Sequence, residues 1–337
     1  MLQQNNGLWP KKILMASPRG FCAGVERAIE VLERVQNSNP QEQIYSYHQI
    51  VHNTHVVRKF EESDVRFVDD IIEIPEGGTV VFSAHGVSPE VRRQTEHRKL
   101  NWVDATCPLV EKPHREVKKY ADQGYTILYI GHAGHDETMG TMGEAPDHMR
   151  LIETVEDARK IQVENPEKLA LTTQTTLSLD DTAEILAVLK ERFPKMIAPR
   201  SEDICYATQN RQDAVKEMVN RGARAIVIVG SSNSSNAHRM REVAERALKA
   251  AFFAEASNQK IPAYLIDDVK ELFGQESLFH SLPAVGLSSA ASVSEDKLQE
   301  VVTWFRERGS EIVEEVVVAD ESKIHFAPPQ GLRVSAR

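Results

Sequence analysis

Three cysteines, Cys22, Cys107 and Cys205, are the residues whose type and spacing most directly imply chemistry. An odd number without a CxxC pair fits neither a disulfide framework nor a zinc ribbon. A single cysteine is more often a small buried apolar residue than a ligand, so the surroundings decide. Cys22 follows the apolar segment Ile13 to Ala16 and opens the helical pattern Val25, Ala28, Ile29, Leu32, Val35. Cys107 follows Trp102 to Ala105 and precedes Pro108, a residue favoured at the first position of a helix. Cys205 follows Glu202-Asp203-Ile204 and precedes a helix marked by Ala214, Val215, Met218 and Val219. A helix N-terminus favours the thiolate, and thiolates hold soft metals. Two candidates remain: a zinc ion with one open position, or a [4Fe-4S] cluster whose fourth iron lacks a protein ligand. Zinc usually takes at least two ligands close in sequence, whereas these cysteines stand 85 and 98 residues apart. The larger, triangular cluster fits better, and its open iron can bind a substrate oxygen.

The elements that must position these thiols repeat. An apolar strand begins 22, 20 and 21 residues after the cysteines, at Ile44, Ile127 and Ile226. Each strand runs into a polar loop, HQIVHN at 48–53, GHAGHDE at 131–137 and GSSNSSN at 230–236. His52, His135 and Ser234 fall 30, 28 and 29 residues after their cysteines. A further strand in each unit ends in a small polar turn: FSAHGVS at 82–88, LTTQTTLS at 171–178 and GLSSAASVS at 286–294. Helical patterns alternating with short strands predict an α/β fold with mainly parallel sheets. In such folds ligands gather beyond the carboxyl ends of the strands, where all these motifs lie. The expected architecture is three similar α/β domains arranged pseudo-threefold around a central site. Their bounds are 23–107, 108–204, and 205–318 with 11–22, followed by a C-terminal tail at 319–337.

Composition narrows the partners. A chain of 337 residues, 41% hydrophobic and 27% charged, is long enough for two or three domains and excludes a wholly disordered chain. With 40 basic against 50 acidic residues the net charge is −10, which argues against nonspecific nucleic-acid binding. Apolar runs such as Ala225 to Val229 fall far short of the roughly 18 residues a membrane span needs, and Ile13 to Ala16 is too short for a signal peptide. A cytoplasmic protein without membrane partners is expected.

An anionic ligand must then be held locally. His52, His85, Ser234, Asn236 and Ser292 are donor-rich, lie in turns before helices, and read as a diphosphate cradle. Glu137, two residues after His135, is the carboxylate a proton donor would require. Beside a cluster and a diphosphate its pKa is expected to rise, with Thr175 of TQTT relaying or orienting the proton.

At these residues the chain resembles the 4-hydroxy-3-methylbut-2-enyl diphosphate reductase (IspH or LytB) family, the terminal enzymes of the non-mevalonate (MEP) isoprenoid pathway. The matching stretches are PRGFCAGV, IVHN, FSAHGVS, DATCPLV, GHAGH, TMG, TQTTLS, DICYATQNRQ, SSN and AAS, from residue 18 to about 292. The resemblance implies a central [4Fe-4S] cluster on Cys22, Cys107 and Cys205. It implies diphosphate binding by His52, His85, Ser234, Ser235, Asn236 and Ser292, and handling of the substrate hydroxyl and its proton by Glu137, His135 and Thr175. Thr208 in CYAT matches a position lining the site. The implied reaction uses two electrons and two protons, expels water, and yields isopentenyl and dimethylallyl diphosphates. A ferredoxin or flavodoxin would supply the electrons.

Two positions depart from the family pattern. Asp136 replaces a usual Pro and is expected to disturb Glu137 or the stiffness of its loop. Ala290 replaces a usual Gly, so the backbone there must avoid conformations that only Gly tolerates. The rival readings are a cluster-based hydratase that consumes no electrons and an iron–sulfur sensor that binds no diphosphate.

Overall fold

The computed structural model describes residues 9–199, 203–252 and 261–329. The chain begins with β1 (Lys12–Ser17), α1 (Ala23–Ser38), β2 (Ile44–Tyr47), α2 (Thr54–Glu62), β3 (Val65–Val68), β4 (Thr79–Phe82), α3 (Pro89–His97) and β5 (Asn101–Asp104). It continues with α4 (Pro108–Asp122), β6 (Thr126–Ile130), α5 (Asp136–Met142), β7 (Met149–Ile152), α6 (Val155–Lys160), β8 (Leu169–Thr173) and α7 (Leu179–Arg192). The last part holds α8 (Tyr206–Asn220), β9 (Ala225–Val229), α9 (Ser235–Phe252), β10 (Ala263–Ile266), β11 (Ala284–Ser289), α10 (Glu295–Glu307) and β12 (Ile312–Val317).

The strands form three sheets, in the orders β3-β2-β4-β5, β7-β6-β8 and β10-β9-β11-β1-β12. Every strand pairing among the described residues is parallel. The same local order recurs: the second strand of each unit, then its first, then its third. A fourth position follows in each case, filled by β5, by β1, and in the smallest sheet by the single bridge from Ala170 to Ile197. This fourth position leads into Cys107, Cys22 and Cys205 respectively.

The repeat extends to hydrogen bonds. Two residues beyond β3, β7 and β10 stand Asp70, Thr154 and Asp268, each closing a capping box with the acid three positions on. The first residue after β2, β6 and β9 donates its N–H to the last carbonyl of β3, β7 and β10: His48 to Val68 at 2.8 Å, Gly131 to Ile152 at 3.2 Å, Gly230 to Ile266 at 2.8 Å. The threefold pattern is therefore a repeat of backbone geometry as well as of motif spacing.

The described residues sort into two compact units. One draws on the described residues up to Cys22, His52–Thr54 and those between Tyr206 and Ile324, and carries the five-stranded sheet. Side chains alternate across that sheet with period two. Ile13, Met15, Val227, Val229, Val285 and Leu287 face Leu298, Val301, Val302 and Phe305 of α10. Leu14, Ala16, Ile226 and Ile228 face Ala214, Val215 and Met218 of α8 and Met240, Val243 and Ala244 of α9. Burial on both faces explains why β9 reads as the uninterrupted apolar run AIVIV. Gly230 leaves this sheet where a Cβ would lie 2.6 Å from the Cβ of Ala237 and 3.2 Å from that of Ala290. Ala290 is fully buried and is not among the residues with positive φ, so the replacement of Gly there is accommodated without backbone strain. Glu321 of the tail accepts from Arg211 and Asn210, which gives that segment an anchor the sequence did not advertise.

The other unit draws on Ala23–Val51, the described residues between His55 and Cys205 and those from His325 on, and carries the two remaining sheets. The smaller sheet buries Leu128, Ile130, Leu169 and Leu171 against Ile185 and Leu189 of α7. His114 of α4 pairs with Glu144 at 2.8 Å and lies against Gly86 and Gly140. Gly86 has φ +78°, a conformation that favours glycine, and His114 Nε2 lies 3.1 Å from where a Cβ would be. Among the described residues no helix is long and apolar enough to cross a membrane. The first eight residues and the tail from 330 lie outside the described residues.

Candidate functional site

Each cysteine immediately precedes a helix: Cys22 before α1, Cys107 before α4 and Cys205 before α8. Cys107 is the N-cap of α4, with Pro108 at N1, and its thiol makes no capping bond. None of the three forms a disulfide, and all are partly exposed. The structure adds a relationship that motif spacing does not reveal. The N–H of each cysteine donates to the carbonyl two residues beyond the third strand of its unit. Cys22 donates to Ala291, Cys107 to Ala84 and Cys205 to Thr175, each at 3.0 Å. Each thiol-bearing residue is thus fastened to the turn that holds Ser292, His85 or Thr175. A partly exposed thiol at a helix start suits a metal ligand better than it suits a core residue.

The loops after β2, β6 and β9 place His52, His135 and Ser234 five residues beyond the last strand residue in every unit. Offsets counted from the cysteines differ by up to two, whereas offsets counted from the strand ends are identical.

In the unit with the five-stranded sheet, the segment 52–54 is tied to the strand ends. Ser292 donates its hydroxyl to the carbonyl of His52 at 2.9 Å, and the Asn53 amide donates to the carbonyl of Ser292 at 2.7 Å. Ser234, buried at the start of α9, accepts from the N–H of Ala237 at 3.4 Å. Ser235 opens that helix and is partly exposed. Asn236 is only 5% exposed, and neither its amide nitrogen nor its amide oxygen has a partner among the described residues. A buried amide without partners costs roughly 1–3 kcal/mol, so its retention points to a polar ligand. Thr208 is buried within α8.

In the other unit Glu137 and Thr175 meet directly. Thr175 donates its N–H to one carboxylate oxygen of Glu137 at 2.7 Å and its hydroxyl to the other at 2.9 Å. Glu137 is 1% exposed, and burial lifts its carboxyl to about 7; the charge of Asp203 acts in the same direction, while the two Thr175 donors oppose it. The rise expected from a cluster and a diphosphate is therefore already produced by burial. His135 caps α5, its Nδ1 accepting from the Glu137 N–H at 3.1 Å, and its ring lies edge-on to that of His85 at 6.1 Å.

Asp136, the residue in the place of the usual Pro, faces two histidines on neighbouring loops. One of its oxygens is 2.6 Å from Nδ1 of His48 and the other is 3.8 Å from Nδ1 of His85. His48 holds a left-handed backbone at φ +57°, rare for a residue with a Cβ. Burial alone would lower the pKa of His48, but Asp136 and Asp69 together carry it above its ordinary value. The extra carboxylate thus finds a histidine partner of its own.

Sequence reasoning missed three features. Thr176 occupies the position equivalent to His85 and Ser292, one residue past the carbonyl that receives a cysteine N–H; aligning the turns on their strand ends reveals it. Asp203 accepts from Lys112 at 2.7 Å and from Thr172 at 2.8 Å, joining α4 to the approach to Cys205. Ser231 and Asp267 form a second fastening for segment 52–54.

Comparisons agree with this architecture. Residues 13–306 match the family described as LytB protein. The chain is 45% identical to 4-hydroxy-3-methylbut-2-enyl diphosphate reductase of Streptomyces coelicolor over 97% of this chain and 92% of that one. It is 44% identical to the enzyme of the same name from Rhodopirellula baltica, over 97% of each. The solved structure of E-1-hydroxy-2-methyl-but-2-enyl-4-diphosphate reductase from Plasmodium falciparum superposes with a TM-score of 0.87 at 35% identity, over 96% of this chain and 97% of that one. The chain therefore belongs to the LytB family of 4-hydroxy-3-methylbut-2-enyl diphosphate reductases.

Proposed function

We propose that this chain reductively removes the hydroxyl of 4-hydroxy-3-methylbut-2-enyl diphosphate, yielding isopentenyl and dimethylallyl diphosphates. This is the last step of the non-mevalonate pathway. One C–O bond breaks, two electrons and two protons enter, and water leaves. The observation that carries the reading is the buried Glu137 carboxyl, held by both donors of Thr175, while the Thr175 carbonyl accepts from Cys205.

Cys22, Cys107 and Cys205 are the proposed ligands of a [4Fe-4S] cluster, and the partly exposed thiols at helix starts suit that role. When bound, the cluster supplies electrons one at a time. Three ligands leave one iron without a protein ligand. His52, His85, Ser234, Ser235, Asn236 and Ser292 bind the diphosphate, joined by Thr176 on the strength of the repeat. The unpartnered amide of Asn236 supports this assignment in particular.

Glu137 holds the proton that turns hydroxide, a poor leaving group, into water. A pKa of about 7 leaves a substantial fraction protonated at neutral pH. Thr175 fixes the orientation of that carboxyl, and His135 fixes the start of α5 on which Glu137 sits. Thr208 lines the site. The proposed domain bounds are 23–107, 108–204, and 205–318 with 11–22, with 319–337 as a tail; that each of the three ranges contains one sheet supports them. The protein works in the cytoplasm with a ferredoxin- or flavodoxin-type donor. Anaerobic turnover with a titrated reductant tests the reading: two electrons consumed per product support it, and product without electron consumption would indicate a hydratase.

A further inference from the structure

One residue beyond the second strand of each unit stands a carboxylate: Asp69 after β3, Glu153 after β7 and Asp267 after β10. Each addresses the neighbouring loop after the unit's first strand, where His52, His135 or Ser234 sits. Asp69 faces His48. Glu153 accepts from the N–H of Ala133 at 2.7 Å. Asp267 does most. One of its oxygens accepts from the Ser231 hydroxyl at 2.6 Å, and the other accepts from the hydroxyl of Thr54. The Ser231 oxygen in turn accepts from the Thr54 N–H at 3.0 Å. Ser231 is fully buried at the centre of these bonds, while Thr54 and Asp267 are partly exposed.

We propose that Asp267 is a positioning residue for the diphosphate site, clasping Ser231 and Thr54 so that the loop of Ser234 and the segment of His52 and Asn53 keep a fixed spacing. The inference rests on the reductase reading for its ligand. Two side-chain clasps among the described residues fasten segment 52–54. Ser292 grips the side of His52 and Asn53, and the Ser231–Asp267 pair grips Thr54. With one grip removed, the segment can pivot about the other. Asp267 itself carries a negative charge and its hydrogen bonds are directed at the hydroxyls, so it does not bind the anion; it acts through the loops it joins.

The test is Asp267→Ala in the cluster-loaded enzyme, read by KM, kcat, iron content and amide exchange. Losing charge-assisted bonds that set placement should raise KM for the allylic diphosphate about tenfold while kcat stays within about twofold. Iron content should not change, and the Thr54 amide should exchange faster while that of Ala133, held by Glu153, keeps its rate. Asp267→Asn, which retains one acceptor, should lie between. In KM the Ser231→Ala, Asp267→Ala double variant should match Asp267→Ala alone, while its Thr54 amide, which has also lost its acceptor, should exchange faster still. If Asp267→Ala does not fold, Ser231→Ala carries the same expectations. An unchanged KM, an unchanged Thr54 exchange rate, or a fall in kcat and iron content at constant KM would overturn the proposal. Calorimetry on the wild-type enzyme separates the two levels: failure to bind the diphosphate would sink the reductase reading, while the Thr54 exchange rate would still decide the clasp.

Discussion

The N–H of Cys205 donates to the carbonyl oxygen of Thr175 at 3.0 Å, and Thr175 gives both its own N–H and its hydroxyl to the carboxylate of Glu137. One threonine thus couples the placement of a thiol to that of an acid. The equivalent bonds from Cys22 to Ala291 and from Cys107 to Ala84 place the other thiols against the turns of Ser292 and His85.

Glu137→Gln keeps the shape and one of the two acceptors for Thr175 but has no acidic proton to give. It should retain cluster content and substrate affinity while turnover falls about 100- to 10,000-fold. Steady-state kinetics beside an iron assay check this, and wild-type turnover would remove Glu137 from the reaction.

The carboxyl of Glu137 must be protonated to act, so kcat should fall as pH rises through about 7. Stability should move the same way. A carboxyl whose folded pKa is raised binds its proton more tightly in the folded chain than in the unfolded one. Its contribution is complete below about 4.5 and is lost as pH climbs through about 7. Denaturant unfolding of wild type and Glu137→Gln across that window should converge at the acid end and diverge by a few kcal/mol at the alkaline end, with wild type the less stable. Parallel curves would contradict the burial of this group.

Asp136→Asn removes the charge that holds up the pKa of His48. The His48 imidazole should titrate at lower pH, seen by NMR of its ring protons, whereas the pH profile of kcat should not move. A shifted kcat profile would mean that Asp136 acts on Glu137 after all.

Asn236→Leu replaces an unpartnered buried amide by an apolar side chain of similar size. Substrate affinity should fall at least about tenfold while Tm stays the same or rises, because no hydrogen bond within the protein is lost. A lower Tm with unchanged affinity would assign Asn236 to the scaffold.

Much of this was legible in the chain itself. The strands at Ile44, Ile127 and Ile226 and the helices after each cysteine follow from apolar periodicity and from Pro108. The repeat was visible through cysteine offsets, but blurred, because the segments before each strand differ in length. Strand ends, which only the folded chain defines, make His52, His135 and Ser234 equivalent. The contacts that escaped notice join distant segments: Lys112 with Asp203, Thr54 with Ser231 and Asp267, and each cysteine N–H with its turn. No local periodicity encodes such pairs. The pairing of Asp136 with His48 is hidden for the same reason, since His48 lies on a separate loop.

We propose that three thiols from far-separated helix starts hold one cluster. Iron and sulfide counts with activity, measured anaerobically on wild type and on Cys22→Ser, Cys107→Ser and Cys205→Ser, test it most directly. Wild type should carry about four of each per chain, and every variant should lose cluster and turnover together. A fully loaded, active Cys205→Ser protein would contradict it.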